Sequence, residues 1–385
     1  MKGHQSKVHI TKGSTSIKLD PGSHPSKDLY VIGITGTSGK TSVSYLIGEV
    51  LKSAGYKPFI LGALNSGNKD LSTPESVDIV KQMREYLEQG GTHFIMEVSS
   101  EQIDQDRILN IDFNIKLLTN ITEDHLDYQK TFATYQQTKL GFMRDGTAHT
   151  IYPQHFKKEP IYFTTKLLGH FNLLNIKAAM NILRHINISE KIIQETLSSC
   201  SPPRGCLEAV DAGQAFTVLV DYAHTPDSLD NVLKTLKNIA LNQQGRLLVL
   251  LGCSGNRDPG QRAKMGKIAG NIADFLVITE DNCSMEDSQL IMGEIKSGIG
   301  SNFDHYVMIQ NRAKAIEFII NDAQDNDVVL LAGKEHEIYQ VLKPEMIHFD
   351  DREVACTAIL NELKPGMEAI LPEFYKKYTS GSSNV

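Results

Sequence analysis

The sequence predicts two successive α/β domains, a P-loop ATPase-like domain followed by a Rossmann-like, doubly wound one, and two observations carry this. A β-branched run (Val31, Ile32, Ile34) leads through the Gly-rich segment ITGTSGKTS, residues 34–42, into a helical stripe, after which strand-like and helical stretches alternate. Beyond Pro202 and Pro203, four apolar runs (TVLVDYAH, RLLVLLGC, DFLVITED and DVVLLAGK) each end at polar residues and are separated by helical sequence.

Taken in order, residues 1–28 are rich in Lys, Ser, Gly and His with little apolar periodicity, and read as a short strand or tail before the first domain. The first domain is expected over 29–201. Val43, Leu46, Ile47, Val50 and Leu51 fall on one helical face, closed by Gly55. The runs HFIMEV at 93–98 and FNIKLLT at 113–119 are the next strands. The second domain is expected over 202–385, ending in the frayed tail SGSSNV.

Of the 385 residues, 41% are hydrophobic, enough for two or three cores. A net charge of -7 leaves no basic surplus to neutralise a nucleic-acid backbone, although small anions can still bind at local sites. Cys200, Cys206, Cys253, Cys283 and Cys356 are odd in number and form no CxxC pair, which argues against a disulfide framework or zinc ribbon and for a reducing compartment. No apolar run approaches the roughly 20 residues that span a bilayer, and the polar start has no signal-peptide core, so a cytoplasmic protein without membrane partners is expected.

The segment at 34–42 lies between strand and helix, the context a phosphate loop requires. Gly36 and Gly39 allow backbone N–H groups close to phosphate oxygens, Lys40 supplies positive charge, and Thr41 offers an oxygen to Mg²⁺. The spacing departs from GxxxxGK, because Ile34 stands where the first glycine belongs and Gly33 is one residue early. The competing reading is a Gly-rich turn without ligand.

GTSGKTS, EVSS at 97–100, TNITEDHLDY at 119–128, LLGHFNLLN at 167–175, VDYAHTP at 220–226 and GKEHE at 333–337 resemble, in order and spacing, the Mur ligase family, in particular its UDP-N-acetylmuramyl-tripeptide synthetase branch. The likeness runs from about residue 29 to the C-terminus. It implies an ATP-dependent, ADP-forming ligase that joins an acidic acceptor to an amino acid through an acyl-phosphate, with the active site in a cleft between the domains.

Residue by residue, the resemblance gives the nucleotide to Gly36, Thr37, Ser38, Gly39, Lys40, Thr41 and Ser42, with Asn172 and Asn175 on the adenine side and Asp221 and His224 facing it from the second domain. Thr41, Glu97, His125 and Lys139 are implied for two Mg²⁺ ions, Lys139 as a carbamate, and Lys40, Glu97, His125 and Lys139 as the catalytic set. Taken singly, Glu97 reads equally as a solvated carboxylate, Lys139 as an exposed helical lysine, and the two asparagines as helix caps. Ser72, Thr73, Ser99, Gln105 and Arg107 match the acceptor site, where a guanidinium grips a carboxylate. Arg257, Asp281, Asn282, Gly333 and Glu337 match the amino-acid site.

Four departures bear on substrates. Only about 28 residues precede the ATP domain, so a uridine-binding domain, and with it a UDP-linked acceptor, is in doubt, and a partner subunit supplying acceptor binding stays open. The family's Gly-Arg pair reads Gly205-Cys206, with Arg204 one residue earlier than the glycine. The diaminopimelate signature Asp-Asn-Pro-Arg reads Asp281-Asn282-Cys283-Ser284, without its arginine. About thirty residues separate Lys139 from Gly169, a short span for the family. Two rivals therefore remain: a stand-alone amide ligase of a specialised pathway acting on a non-UDP acid, and a degenerate nucleotide-binding partner protein.

Overall fold

A computed structural model describes residues 24–62, 74–122, 129, 131–221, 223–255, 258–334, 339–342 and 345–363, with 339–342, 345–347 and 363 described by backbone only. The chain divides into two compact units, 1–203 and 204–385.

The first unit begins, among described residues, with a single 3-10 turn, Pro25–Lys27, rather than a strand. Its Ser26 hydroxyl accepts from the Asp112 N–H at 3.0 Å, which ties the segment to the body. Five parallel strands follow: β1 Tyr30–Thr35, β2 Pro58–Leu61, β3 His93–Val98, β4 Ile115–Leu118 and β5 His149–Ile151. Their order is β2-β3-β1-β4-β5, so the chain leaves the central strand first to one side and then to the other. That reversal opens a crevice at the C-terminal end of β1, where ligands bind in such sheets.

The helices are α1 Lys40–Ser53, α2 Ser76–Glu88, α3 Ser100–Asp104, α4 Phe132–Arg144, α5 Pro153–Phe156, α6 His170–His185 and α7 Glu190–Ser199. Alternate strand residues point to opposite faces, and both faces are covered. Ile32, Ile34, Ile95, Ile115 and Leu117 pack with α1, α6 and α7, whereas Val31, Phe94, Met96 and Val98 pack with α2 and Phe142 of α4. Helix α1 stops as its sequence predicts: Gly55 donates to Lys52 and Tyr56 to Leu51 carbonyls, the two bonds of a Schellman end.

The second unit is a six-stranded sheet of order β10-β9-β8-β11-β7-β6. Its strands are β6 Glu208–Ala209, β7 Thr217–Asp221, β8 Leu247–Leu251, β9 Phe275–Ile278, β10 Tyr306–Met308 and β11 Val328–Ala332. All are parallel except β6, which pairs antiparallel with β7 at the edge. Helices α8 Pro226–Gln243, α9 Pro259–Ile272, α10 Ser288–Ser297, α11 Arg312–Asp322 and α12 Asp351–Leu363 complete it, with a hairpin of β12 Tyr339–Leu342 and β13 Glu345–His348 before α12. The four long strands are those the apolar runs announced; β6 and β10, of two and three residues, were too short to carry a pattern. No helix among the described residues is long and apolar enough to cross a membrane.

Lys116 is a buried charge in the first unit's core, on β4 beside Gly33 of β1. Its ammonium donates to the carbonyls of Phe142 (2.9 Å) and Asp145 (2.7 Å) at the end of α4 and sits 4.4 Å from the Phe142 ring centre. Burial holds its pKa below the ordinary lysine value, against the pull of the Asp145 carboxylate. A cation at a helix C-terminus satisfies carbonyls that lack intrahelical partners. Lys116→Met keeps the volume but orphans both carbonyls, and should destabilise the protein by about 2–3 kcal/mol in urea unfolding; a shift of the midpoint within error would mean the ammonium contributes nothing.

Candidate functional site

Strand β1 ends at Thr35 and α1 begins at Lys40, so residues 36–39 form the whole loop. Gly36 adopts φ 148 and a Cβ there would overlap the Thr119 hydroxyl, so only glycine lets the loop lie this close to β4. The Lys40 ammonium donates to the carbonyls of Gly36 and Thr37, both at 2.9 Å. Thr41 donates its hydroxyl to Glu97 Oε2 at 2.9 Å, and Glu97 reaches that point because Ile34 and Glu97 are in register on β1 and β3. Two hard oxygen donors thus stand beside the loop, a donor set that suits Mg²⁺, which keeps several waters and takes few protein ligands. Among the described residues no group of three or more His, Cys, Asp or Glu gathers as a metal cluster. His125 lies outside the described residues.

Lys139 is not an exposed helical lysine. It is 1% exposed on α4, with its Nζ 3.1 Å from the Gly36 carbonyl and 3.3 Å from the Thr35 hydroxyl, and 4.9 Å from the Tyr135 ring centre. Tyr135 in turn hydrogen-bonds Thr37 at 2.9 Å. The buried Asn172 and Asn175 lie in the first turns of α6. Neither caps a helix N–H: Asn172 donates to the Leu168 carbonyl at 2.8 Å and Asn175 to Asn172 Oδ1 at 3.1 Å. A Cβ on Gly39 would overlap Asn175 Oδ1, so the pair rests against the phosphate loop. Thr37 and Ser42 are buried, and Ser38 partly so.

Of the acceptor residues, Ser72 and Thr73 lie outside the described residues. Ser99 caps α3: its hydroxyl accepts from Gln102 N–H while Gln102 Oε1 accepts from Ser99 N–H, a capping box. Gln105 terminates the same helix, and Arg107 follows it, 3.3 Å from Glu75 Oε1.

Of the predicted residues in the second unit, Asp221, Asp281, Asn282 and Gly333 stand at strand ends along one rim. Register sets Asp221, Leu251 and Ala332 level on β7, β8 and β11, with Ile278 of β9 opposite Leu251. Gly333, at φ 91, follows β11, and a Cβ there would overlap the Gly252 carbonyl. Asp281, 1% exposed, accepts from the Ser254 hydroxyl at 2.5 Å and faces the Lys334 ammonium at 3.5 Å. Asn282 is buried beside it, and its carbonyl accepts from Gly255 N–H. Arg257 and Glu337 lie outside the described residues. Arg204 contacts Asp350 at 3.2 Å, a carboxylate that Arg352 also holds. Partly buried His224 stands just before Thr225, the cap of α8.

Several residues that the sequence did not single out shape these sites. Asn120 and Thr119 bond the loop from β4; they lay inside a quoted motif but had no periodic signal. Arg312, fully buried, donates to both Asp351 oxygens (2.8 and 2.6 Å) and to the Ala332 carbonyl (3.2 Å) beneath the rim. Its partner is 39 residues away, beyond any local pattern.

Asp221 spends neither oxygen on solvent: Oδ2 accepts from Leu207 N–H and Oδ1 from Ala223 N–H, each at 2.8 Å. Burial raises its pKa to about 7, against those two N–H groups, which lower it. The folded value therefore lies above the unfolded one, so the native state holds more protons between about pH 4 and 7, and stability from this group falls as pH rises through that window. Asp221→Asn cannot titrate. The stability of the wild type relative to this variant should drop between pH 5 and pH 8 in urea unfolding; a pH-independent difference would refute the assignment.

Comparison with known proteins identifies the family. The chain matches the Mur ligase middle domain over residues 34–152 and the Mur ligase glutamate ligase domain over 207–335. It is 36% identical to the UDP-N-acetylmuramoyl-L-alanyl-D-glutamate--2,6-diaminopimelate ligase of Bacillus licheniformis, covering 88% of this chain and 80% of that one. To the protein of the same name from Geobacillus kaustophilus it is 33% identical over 87% and 80%. A solved structure of such a ligase superposes with a TM-score of 0.55 at 26% identity, covering 87% and 79%. E. coli FolC, solved with DHPP and ADP, shares the fold with a TM-score of 0.60 at 18% identity over 84% and 92%. The chain belongs to the Mur ligase family, and is an ATP-dependent, ADP-forming ligase that joins an amino acid to an acidic acceptor.

Proposed function

We propose that residues 36–42 hold the ATP phosphates, that the acceptor is a muramyl-peptide carboxylate, and that the amino acid added carries no second, distal carboxylate. The observation that carries this reading is the Thr41–Glu97 bond at 2.9 Å beside Lys40, at the C-terminal end of the central strand. It sets a hard-oxygen pair and an ammonium where a phosphoryl group in flight needs cations.

In this reading the acceptor carboxylate attacks the γ-phosphorus, ADP leaves, and the amine then displaces phosphate from the acyl-phosphate to give the amide. Lys40 exchanges the carbonyls of Gly36 and Thr37 for phosphoryl oxygens. Bound Mg²⁺, on Thr41 and Glu97 and on His125 by resemblance, supplies charge neutralisation. Arg107 exchanges Glu75 for an acceptor carboxylate. Asn172 and Asn175 flank the adenine side, and Asn282 and Gly333 border the amino-acid site.

The relatives' names bring the muramyl-peptide acceptor to this chain. The same names specify diaminopimelate, but Ser284 stands where the resemblance carries an arginine, and an unpaired distal carboxylate costs on the order of 1–3 kcal/mol. Phosphate release from ATP, measured with acidic acceptors and a panel of amino acids, tests both points. Lys40→Ala should abolish release, and a neutral or basic amino acid should outpace diaminopimelate by about tenfold or more. Turnover by Lys40→Ala would end the loop assignment, and preference for diaminopimelate would end the specificity assignment.

Lys139, buried under the loop, is proposed to act as a carbamate, a carboxylate made from its amine and CO₂ that adds a hard-oxygen group beneath Gly36. A crystal structure of protein prepared with bicarbonate and Mg²⁺ should show a carboxylated side chain there; an unmodified ammonium on Gly36 would sink the idea.

A further inference from the structure

We propose that Asn120 is a positioning residue that decides which backbone N–H groups of the phosphate loop face ATP. The inference rests on the reading of residues 36–42 as the phosphate loop. Asn120 follows β4, one residue beyond Thr119, whose N–H continues the strand by donating to the Thr35 carbonyl at 2.9 Å. Its side-chain amide grips Ser38 on both sides, with Oδ1 accepting from Ser38 N–H at 2.9 Å and Nδ2 donating to the Ser38 carbonyl at 3.0 Å. Its backbone carbonyl accepts from Thr37 N–H at 3.1 Å. The Ser38 carbonyl also receives the Thr119 hydroxyl at 2.7 Å. Thr37 is fixed by its own side chain, which donates to the Thr122 carbonyl at 3.1 Å and accepts from Thr122 N–H at 3.0 Å.

The N–H groups of Thr37 and Ser38 therefore point at β4's extension and not at a phosphate. Beyond them the chain enters α1 through Gly39, which provides no side-chain cap. With four residues between strand and helix, the loop is too short to wrap a phosphate with every N–H, and the unused ones need partners. One primary amide meets that need, because it carries both an acceptor and a donor in a plane, as a neighbouring peptide would. A carboxylate lacks the donor. Asn120→Asp would turn an oxygen toward the Ser38 carbonyl and set a negative charge beside the nucleotide phosphates. Preorganised donors matter most where charge accumulates, so loosening the loop should act on ATP and on the chemical step.

The test compares Asn120→Ala and the near-isosteric Asn120→Asp with the wild type and with Lys40→Ala in full-length enzyme, following KM for ATP, KM for the amino acid, kcat and the thermal midpoint. Asn120→Ala should raise KM for ATP about tenfold or more with KM for the amino acid within about twofold, and Asn120→Asp should do worse, since it adds repulsion. Direct titration of Mg-ADP should show the same ordering. If both variants keep wild-type KM for ATP while Lys40→Ala is inactive, the phosphate loop stands and the role of Asn120 falls. Equal losses for both substrates with a fall in thermal midpoint would also overturn it, as that is the mark of a merely structural residue. If Lys40→Ala is active, the loop reading fails and takes this inference with it.

Discussion

The first unit depends on how the central strand ends. Strand β1 is hydrogen-bonded on both sides, so its direction and height are fixed before the chain turns. Four residues later the chain must be a helix, and the carbonyl and N–H groups between are too crowded to be left to water. Each neighbour of β1 answers part of that demand. Strand β3 presents Glu97 to the first turn of α1, and the segment after β4 holds Thr37 and Ser38. Helix α4 closes the underside with Lys139 and Tyr135. Lys116 completes the arrangement from below by fixing the end of α4, so the depth at which Lys139 sits is set three residues further along, at Phe142.

The second unit solves a similar problem with different chemistry. Its rim is a row of level strand ends, and the groups just beyond them are held by charged side chains rather than by a loop amide. Asp221 ties the entering chain to β7 through the Leu207 N–H. Ser254 and Lys334 reach Asp281 from β8 and β11, which joins three separate strand exits around one carboxylate. Beside the rim Arg262, 2% exposed, donates to the Ser254 carbonyl and bridges Glu286, in the turn before α10, and Glu294 on α10, which couples α9 to that helix.

The sheets were legible because parallel strands buried on both faces are written as continuous apolar runs, and FIMEV or LLVLL admits little else. The loop was legible from its place between strand and helix. What the sequence could not convey was direction. Ser99 and Asp221 lie in the quoted motifs, yet both side chains are engaged in backbone bonds. Asn172 and Asn175 looked like caps and instead bond to each other and to Leu168. Lys139 was indistinguishable from a solvated helical lysine until α4 was laid against β1. Asn120, Lys116 and Arg312 act on groups 82, 26 and 39 residues away, and local periodicity does not register partners at such separations.

The burial of Arg312 has an evolutionary consequence. Its guanidinium joins the start of α11, the end of β11 and the start of α12 in one solvent-free cluster, and removing either member of such a pair strands a charge in the core. The strand ends are thus locked together, and substitutions there are penalised through folding before catalysis is reached. The exposed Met285, at the tip of the turn beyond β9, carries no such burden. Sequence change is therefore cheaper at such an exposed tip than in the framework beneath it.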